Sequence, residues 1–420
     1  MKKSHLLLFT FVLIGFKCFA QWEPQNSGTT KRLKDVFFTN VDTGYAVGNN
    51  DTGDGGIILK TTNGGIDWIT LMIADTLEFN SVYFTDANTG YVAGSKQYWS
   101  NPAIILKTTN GGISWSIVFN YSYSNESGAS LVSVYFPGPN TGYAVGNIMY
   151  TSMGTSPFII KTSNGGANWT INDSIPGDKL SSIFFTSIDT GYAVGDNKVL
   201  RTTNGGTNWE VQTLSVVNMK DVFFANANTG YIIGSMHEGY SVELKTIDAG
   251  ISWSPLNIGG MFPPLPFLSI YFTDANTGYF VNDEIFKTLN GGGSWMNQYM
   301  GEYSYTSVFF PVPDTGYIVG SNGTILKTIN GGITRIGKKE KSNKLFSFYP
   351  NPANDNITIS STSLTGITQL LIFNVSGEKV IERQLTNIET QISVSALPGG
   401  VYFVRLQNEK MVEIGKIVKE

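Results

Sequence analysis

The sequence predicts an all-β fold, and three observations carry this prediction. Charged residues make up 14% of the 420-residue chain and aromatic residues 13%, whereas an average soluble domain has about 25% charged residues. The 47 glycines and 15 prolines follow no collagen-like period and are typical of a chain with many tight turns. The phrase Thr-Gly-Tyr occurs seven times. This composition argues against a coiled coil, a disordered polyampholyte and a basic nucleic-acid-binding protein.

Residues 1–20 have the pattern of a secretory signal peptide. Two lysines precede an apolar run over residues 6–16, and Ala20 stands at the expected cleavage point. The run is too short for a lasting membrane anchor, so no transmembrane segment is expected after cleavage. Lipidation at Cys18 is the alternative interpretation, but Lys17 is unlike the small or apolar residue that such a site requires.

Charge and residue counts exclude several kinds of chemistry. The formal net charge is −4 and becomes more negative when the lysines of the signal leave, so nucleic acid and anionic lipid are not expected partners. Outside the signal the chain has no cysteine, and His237 is its only histidine. We therefore expect no disulfide, no cofactor and no metal. Residues 49–56 are rich in oxygen ligands but lack EF-hand spacing, and a plain turn is the preferred interpretation.

The seven Thr-Gly-Tyr phrases mark an internal repeat of 38 to 52 residues, a period typical of propellers and solenoids. Each tyrosine lies seven residues after the second aromatic of a β-branched and aromatic triplet such as Val36-Phe37-Phe38. An apolar stretch, an Ile-Leu-Lys-Thr-like stretch, an Asn-Gly-Gly turn and a tryptophan follow. Each repeat is thus predicted to form four antiparallel strands, which is one propeller blade. The marker tyrosines are Tyr45, Tyr91, Tyr143, Tyr192, Tyr231, Tyr279 and Tyr317.

The tryptophans predict how the ring closes. Six repeats end with a tryptophan, namely Trp68, Trp115, Trp169, Trp209, Trp253 and Trp295. The seventh repeat has Arg335 in this position. Trp22 lies 23 residues before Tyr45, just as Trp68 lies 23 residues before Tyr91. We expect the N-terminal strand around Trp22 to complete the seventh blade and protect the sheet edges. The alternative is that residues 333–336 form their own outer strand.

Two resemblances follow from these motifs. Residues 61–68, Thr-x-Asn-x-Gly-x-Asp-Trp, resemble the Asp-box or BNR motif of sialidase-type propellers, and Asp248 keeps the aspartate of that motif in the fifth repeat. The combined repeat resembles the photosystem II stability/assembly factor propeller family over residues 21–335. This resemblance implies a seven-bladed β-propeller closed by an N-terminal strand. It implies no activity, because the motif residues shape turns and pack against one another.

Residues 344–420 resemble the type A C-terminal sorting domain of the type IX secretion system of Bacteroidetes-like bacteria. About six short alternating strands predict a small β-sandwich, and residues 336–343 are expected to form an exposed linker that is cleaved. The resemblance implies the type IX machinery as a partner, with passage through the periplasm to the cell surface or the outside. Release and attachment to surface lipopolysaccharide both remain open. The residues that carry the sorting resemblance are Tyr349, Pro350, Asn351, Pro352, Gly399, Gly400, Tyr402, Lys416 and Lys419.

Loop insertions predict where a ligand binds. They fall between the second and third strands of the repeats and between repeats, which places them on one face of a propeller, and variable loops on a rigid scaffold often bind ligands. Their aromatic side chains would stack on sugars or anchor a protein, or they would pack over neighbouring loops. The candidate residues are Tyr98, Trp99, Tyr121, Tyr123, Tyr150, His237, Tyr240 and Phe262.

An enzyme is the less favoured interpretation. A glycosidase needs a pair of carboxyl groups and a sialidase also needs an arginine clamp. No carboxylate pair is recognisable by spacing, and Arg201 and Arg335 occupy framework positions of the repeat. We therefore expect a non-enzymatic exported propeller that binds protein or glycan, with no catalytic residues. The alternative is a glycoside hydrolase, sialidase-like or of another Asp-box type.

Overall fold

The structure is a computed structural model. It describes residues 22–420 except 51–54, 97–101, 124–126, 151–153, 178, 236–240, 257–266, 302, 333–345, 362–367, 375–377 and 408–411. The chain divides into two compact units, Met1–Thr334 and Arg335–Glu420. Across the described ranges, no helix is both long and apolar enough to cross a membrane.

The described residues of the first unit form seven four-stranded antiparallel sheets, one for each repeat. Strand β1 (Glu23–Gln25) comes first in the chain. The first sheet contains β2 (Arg32–Phe38), β3 (Gly44–Asn49), β4 (Gly56–Thr61) and β5 (Ile69–Ala74). The second contains β6 (Leu77–Phe84), β7 (Gly90–Lys96), β8 (Ala103–Thr108) and β9 (Ser116–Tyr121). The third contains β10 (Ser127–Tyr135), β11 (Gly142–Tyr150), β12 (Thr155–Thr162) and β13 (Thr170–Asn172).

The remaining sheets of this unit repeat the same order. The fourth contains β14 (Ser182–Phe185), β15 (Gly191–Gly195), β16 (Lys198–Thr202) and β17 (Glu210–Thr213). The fifth contains β18 (Val217–Phe224), β19 (Gly230–Ser235), β20 (Ser241–Thr246) and β21 (Ser254–Pro255). The sixth contains β22 (Ser269–Phe272), β23 (Gly278–Val281), β24 (Glu284–Thr288) and β25 (Met296–Met300). The seventh contains β26 (Tyr305–Val312), β27 (Thr315–Gly320), β28 (Ile325–Thr328) and β1, with a 3₁₀ turn over Ser321–Gly323.

The N-terminal strand pairs with the last repeat. Strand β1 is antiparallel to β28, with Pro24 opposite Leu326. Trp22, directly before β1, is fully buried, and its ring lies edge-on to Phe310 at 6.0 Å. In the first sheet Trp68 lies edge-on to Phe38, also at 6.0 Å. Trp22 therefore occupies in the seventh sheet the position that Trp68 occupies in the first.

Each marker tyrosine packs against the following sheet. The Tyr45 ring stacks on Phe84 at 3.9 Å, and its hydroxyl donates a 2.9 Å hydrogen bond to the carbonyl oxygen of Gly111. Lys60 Nζ donates to the same oxygen at 2.7 Å. The ring pair recurs as Tyr91 with Phe136, Tyr143 with Phe185, Tyr192 with Phe224, Tyr231 with Phe272, Tyr279 with Phe310 and Tyr317 with Phe38.

The glycine of the Thr-Gly-Tyr phrase makes room for an aromatic ring of its own sheet. A Cβ added at Gly44 would lie 2.4 Å from Cε1 of Phe38, which is closer than real contacts allow. The residue before the tyrosine must therefore have no side chain.

The Asn-Gly-Gly turns are held by side-chain hydrogen bonds. Thr61 Oγ1 accepts a 2.8 Å hydrogen bond from the Gly65 amide, and Asn63 Oδ1 accepts one of 3.0 Å from the Asp67 amide. Side chains of Thr, Asn and Asp commonly bond the backbone in this way. These motif residues therefore shape the turn rather than face a ligand.

The second unit contains two sheets in its described residues, ordered β29-β30-β33 and β32-β31-β34-β35. Its strands are β29 (Phe346–Tyr349), β30 (Asn356–Ser361), β31 (Thr368–Phe373), β32 (Lys379–Leu385), β33 (Glu389–Ser393), β34 (Gly400–Gln407) and β35 (Val412–Lys419). Ile357 and Ile392 from the first sheet and Leu370 and Val404 from the second share one apolar core. The seven described strands compare with about six expected. Strand β32, which pairs with β31, is the one that the expected segments did not include.

Candidate ligand-binding surfaces

Five of the eight candidate loop residues lie outside the described residues. They are Tyr98, Trp99, His237, Tyr240 and Phe262. Their role in ligand binding stays a prediction, as does the turn expected over residues 49–56, of which 51–54 are also outside the described ranges.

The three described candidates lie near one another in the second and third sheets. The rings of Tyr123 and Tyr150 meet edge-on at 5.7 Å, and Tyr123 is 45% exposed. A hydrogen bond with Tyr150 raises the pKa of Tyr123 above its ordinary value, so Tyr123 is a neutral phenol at physiological pH. Tyr121 is half-buried against Phe158 at 5.8 Å. Tyr121 thus packs between sheets, while Tyr123 and Tyr150 form an aromatic pair at the surface.

The first strands of all seven sheets line a polar cavity of about 130 Å³. One side chain directly before each β-branched and aromatic triplet contributes to this lining. These seven residues, which we call the polar ring, are Asp35, Ser81, Ser133, Ser182, Asp221, Ser269 and Ser307. Beyond them a second cavity of about 170 Å³ is also lined by the aromatic residues Phe37, Tyr83, Tyr135, Phe184, Phe223, Tyr271 and Phe309.

The polar ring joins neighbouring sheets by hydrogen bonds. Asp35 Oδ2 accepts a 2.9 Å bond from the Val82 amide in the second sheet, and Asp35 Oδ1 accepts a 2.9 Å bond from the Ser307 hydroxyl in the seventh. Asp221 Oδ2 accepts a 3.0 Å bond from the Ile270 amide in the sixth sheet. Three serine hydroxyl oxygens also accept a hydrogen bond from a backbone amide of the next sheet. The pairs are Ser81 with Val134, Ser133 with Ile183 and Ser269 with Val308.

Burial dominates the electrostatics of the two ring aspartates. It raises the pKa of Asp35, and it raises the pKa of Asp221 to about 6, although hydrogen bonds oppose the shift in both cases. Both oxygens of each carboxylate accept hydrogen bonds from the protein. The carboxylates of Asp35 and Asp221 therefore link neighbouring sheets by hydrogen bonds, and they are poorly placed to serve as a free acid and base.

Sequence reasoning missed the polar ring, although a signal was present. The residue before each triplet is Ser or Asp in every repeat, a regularity that becomes visible only when the seven triplets are aligned. Two lysines, Lys34 and Lys220, line the same cavity, and burial lowers the pKa of both. Lys34 Nζ donates a 2.8 Å hydrogen bond to Asn80 Oδ1.

A third buried acid, Glu243, lies between the fifth and sixth sheets. Glu243 is fully buried, and Trp295 Nε1 donates a 2.7 Å hydrogen bond to its Oε2. Burial raises the pKa of Glu243 to about 8, so this side chain is largely protonated at neutral pH. In the described ranges, no group of three or more His, Cys, Asp or Glu side chains is arranged to hold a metal ion.

The described sorting residues support the last strand of the second unit. Asn351 Nδ2 donates to the Lys416 carbonyl oxygen and Asn351 Oδ1 accepts from the Val418 amide, both at 2.8 Å. The Tyr402 hydroxyl donates to the Pro398 carbonyl oxygen at 2.8 Å. The others lie before β30 (Tyr349, Pro350 and Pro352), at the start of β34 (Gly399 and Gly400) and at the end of β35 (Lys419).

Repeated four-stranded sheets and a C-terminal β-unit define the class: a β-propeller that carries a sorting domain. Residues 16–177 and 168–302, together more than half of the chain, match the family of photosynthesis system II assembly factor YCF48, and the chain belongs to this family. Residues 347–420 match the secretion system C-terminal sorting domain. The sorting match indicates export by the type IX system to the cell surface or the outside.

Solved structures confirm the propeller fold. YCF48 bound to a D1 peptide is 19% identical with a TM-score of 0.54, over 75% of this chain and 98% of that one. YCF48 from Cyanidioschyzon merolae is 18% identical with a TM-score of 0.54, over 73% and 98%. The GH74 xyloglucanase from Xanthomonas campestris is 11% identical with a TM-score of 0.55, over 92% and 59%. At these identities the likeness concerns the fold alone. No curated protein matches the chain.

Proposed function

We propose that this protein is a non-enzymatic exported β-propeller that binds a protein or a glycan at the cell surface or outside the cell. The observation that carries the proposal is the surface pair of Tyr123 and Tyr150, at the loop ends of a chain whose tail matches a sorting domain. Aromatic rings that keep a polar hydroxyl suit both sugars and protein partners. A propeller of the same family has been solved with a peptide bound.

The finer architecture belongs to this proposal. We infer seven blades in a closed ring, in which β1 completes the seventh blade. The pairing of β1 with β28 and the hydrogen bond from Ser307 to Asp35 support closure between the last and first sheets. The predicted domains are a signal over residues 1–20, the propeller over 21–335, a cleaved linker over 336–343 and a sorting β-sandwich over 344–420.

Export and delivery are assigned to the second unit. We infer that the type IX machinery reads the segment held by Asn351 and the strand that ends at Lys419. The matched residues 347–420 cover this whole unit apart from its start. An exported protein would not meet a photosystem, so the assembly role of the family is not transferred.

A glycoside hydrolase is the second candidate, because the propeller fold also occurs in an enzyme of this class, the GH74 xyloglucanase. The argument against catalysis comes from the polar ring. There the carboxylate oxygens of Asp35 and Asp221 already accept hydrogen bonds from backbone amides and serine hydroxyls. A hydrolase would need one carboxyl group free to protonate the leaving group and another free to activate water or attack the sugar.

The proposal is tested by binding of the mature chain to a glycan array and to envelope fractions of the producing cell. Tyr123→Ala and Tyr150→Ala are compared with Ile113→Ala, which removes a side chain 82% exposed in an Asn-Gly-Gly turn. We expect binding that falls at least tenfold in the tyrosine variants and is unchanged in the control. Absence of any binding, or equal loss in all three variants, would contradict the proposal.

A further inference from the structure

A further cavity lies apart from the Tyr123 and Tyr150 pair. It measures about 490 Å³, within the range of about 300–1,000 Å³ typical of small-ligand sites. It lies where β25, the 3₁₀ turn over Ser321–Gly323 and the segment 24–29 meet the start of β26. Rings and side-chain amides dominate its wall, contributed by Tyr299, Tyr303, Tyr305, Gln25, Asn26 and Asn322.

A buried hydroxyl forms the floor of this cavity. Tyr305 is 2% exposed and lines the cavity. The corresponding position, two residues before the polar ring, is apolar in the other six sheets: Leu33, Phe79, Leu131, Leu180, Met219 and Phe267. In this repeat alone the position therefore supplies a hydroxyl-bearing side chain to the cavity, and a hydroxyl can donate a hydrogen bond to a ligand and accept one from it.

The walls of the cavity are held in place by close contacts. The Gly323 amide donates a 2.9 Å hydrogen bond to the Lys31 carbonyl oxygen, which ties the 3₁₀ turn to the N-terminal segment. A Cβ at Gly323 would lie 1.8 Å from the Thr29 carbonyl oxygen, and one at Gly301 would lie 1.8 Å from the Tyr305 hydroxyl oxygen. Both glycines allow an approach that any other residue would prevent. The cavity is therefore preformed.

Its chemistry fits a neutral sugar. Tyr303 is 42% exposed and offers a ring face, while the amides of Asn26 and Asn322 and the Tyr305 hydroxyl offer donors and acceptors. The described side chains that line the cavity are uncharged, which is compatible with a neutral ligand. Aromatic faces pack against the C–H surface of a sugar ring, and amides bond its hydroxyls.

We propose that this cavity binds one terminal unit of a neutral carbohydrate, with Tyr303 as the stacking platform and Tyr305 as the hydrogen-bonding floor. The inference rests on the proposed binding function and gives it a ligand class and a second site, at the junction of the sixth and seventh sheets.

The test measures binding of the mature full chain to an array of neutral glucans, xylans, mannans and galactans, with sialylated and sulfated glycans and neutral peptides printed beside them. We expect binding to a neutral glycan only. Tyr303→Ala and Tyr305→Phe should each weaken it at least tenfold. Tyr305→Phe restores the residue type of Phe79 and Phe267 at this position, so folding is expected to survive, and an unchanged Tm verifies this.

Each outcome distinguishes this site from the loop pair. If glycan binding survives both cavity variants but is lost in Tyr123→Ala, the cavity proposal fails and the binding function stands. If the wild-type chain binds only charged glycans or only peptides, the cavity proposal fails as well. If glycan binding is lost in both folded cavity variants and kept in Tyr123→Ala, the cavity proposal holds.

Discussion

The hydroxyl of Tyr317 in the seventh sheet donates a 2.8 Å hydrogen bond to the carbonyl oxygen of Gly64 in the first. Lys327 Nζ donates to the same oxygen at 2.6 Å. The bond from Tyr45 to Gly111 joins the first and second sheets in the same way. In these repeats the tyrosine hydroxyl and the lysine ammonium group both donate to one glycine carbonyl oxygen of the next sheet. The same interaction links the last sheet to the first.

Removing the Tyr317 hydroxyl should weaken that junction measurably. Tyr317→Phe leaves the Gly64 carbonyl bonded to Lys327, so the expected loss in the free energy of unfolding is about 0.5–1.5 kcal/mol. Urea unfolding measures it. Tyr123→Phe, at a side chain 45% exposed, is the control and should change stability very little. Equal stability of both variants and the wild type would count against the fastening role.

If the N-terminal strand closes the ring, Trp22 and Trp68 should contribute equally to the free energy of unfolding. Trp22 and Trp68 are both buried and both lie edge-on to a phenylalanine at 6.0 Å. Each replacement by alanine should cost about 3–5 kcal/mol, as is usual for a large buried aromatic. If Trp22→Ala were neutral in urea unfolding while Trp68→Ala was costly, the N-terminal strand would not complete the seventh blade.

Glu243 predicts a pH dependence of stability. Its folded pKa is raised from 4.5 to about 8 by burial, so between these pH values the folded state holds a proton that the unfolded state releases. The free energy of unfolding should therefore fall as the pH rises through this window and level off above it. Glu243→Gln keeps an oxygen that can accept the hydrogen bond from Trp295, and it cannot ionise. At pH 8–9 its free energy of unfolding should therefore exceed that of the wild type by about 2–4 kcal/mol.

The control for this pH effect is Glu210→Gln. Its carboxylate pairs with Arg201 at 3.3 Å and is 72% exposed, so the pH profile of this variant should follow the wild type. Parallel profiles for Glu243→Gln and the wild type would show that Glu243 does not titrate in the expected window.

Repetition made most of the fold predictable from sequence. The position of Trp22 followed from a spacing found in another repeat, and the structure places it beside Phe310 where the other tryptophans meet a phenylalanine. The polar ring was not predicted, because one Ser or Asp before a triplet looks like ordinary alternation along a strand. The cavity between the sixth and seventh sheets was not predicted either, because Asn26 and Asn322 are distant in sequence and only the folded chain brings them to one wall.

The loop candidates show a different limit. Sequence alone could not separate Tyr121, which packs on Phe158, from Tyr123, which is exposed. Both lie in or beside the same insertion, and only the end of strand β9 at Tyr121 turns one ring inward. In the second unit, strand β32 was not among the predicted segments, because Lys379–Leu385 contains charged and polar residues and lacks a clear apolar run.

The second glycine of the Asn-Gly-Gly turn predicts a graded cost. Gly166 has φ of +78°, and an added Cβ would lie 2.9 Å from Cε1 of Tyr91. Gly28 has φ of +71° with nothing within 4 Å of such a Cβ. Alanine at either position should cost about 1 kcal/mol from backbone conformation. Only Gly166→Ala should add a further loss from the clash, and equal unfolding midpoints would contradict this.

Replacing Asn351 should impair export of the chain. Asn351→Ala removes two 2.8 Å hydrogen bonds to β35 and should lower the secreted or surface fraction, with accumulation in the periplasm. Asn387→Ala, at an exposed residue of the same unit, is the control and should be exported normally. Immunoblots of fractionated cells give the measurement, and normal export of Asn351→Ala would remove this residue from the sorting signal.

The central claim is that the propeller binds its ligand without converting it. The most direct measurement is chromatography and reducing-end analysis of xyloglucan, sialyllactose and every glycan retained on the array, after prolonged incubation with the purified chain. Binding without turnover predicts that each glycan is recovered intact. Release of new reducing ends in proportion to the protein concentration would contradict the claim and favour a glycoside hydrolase.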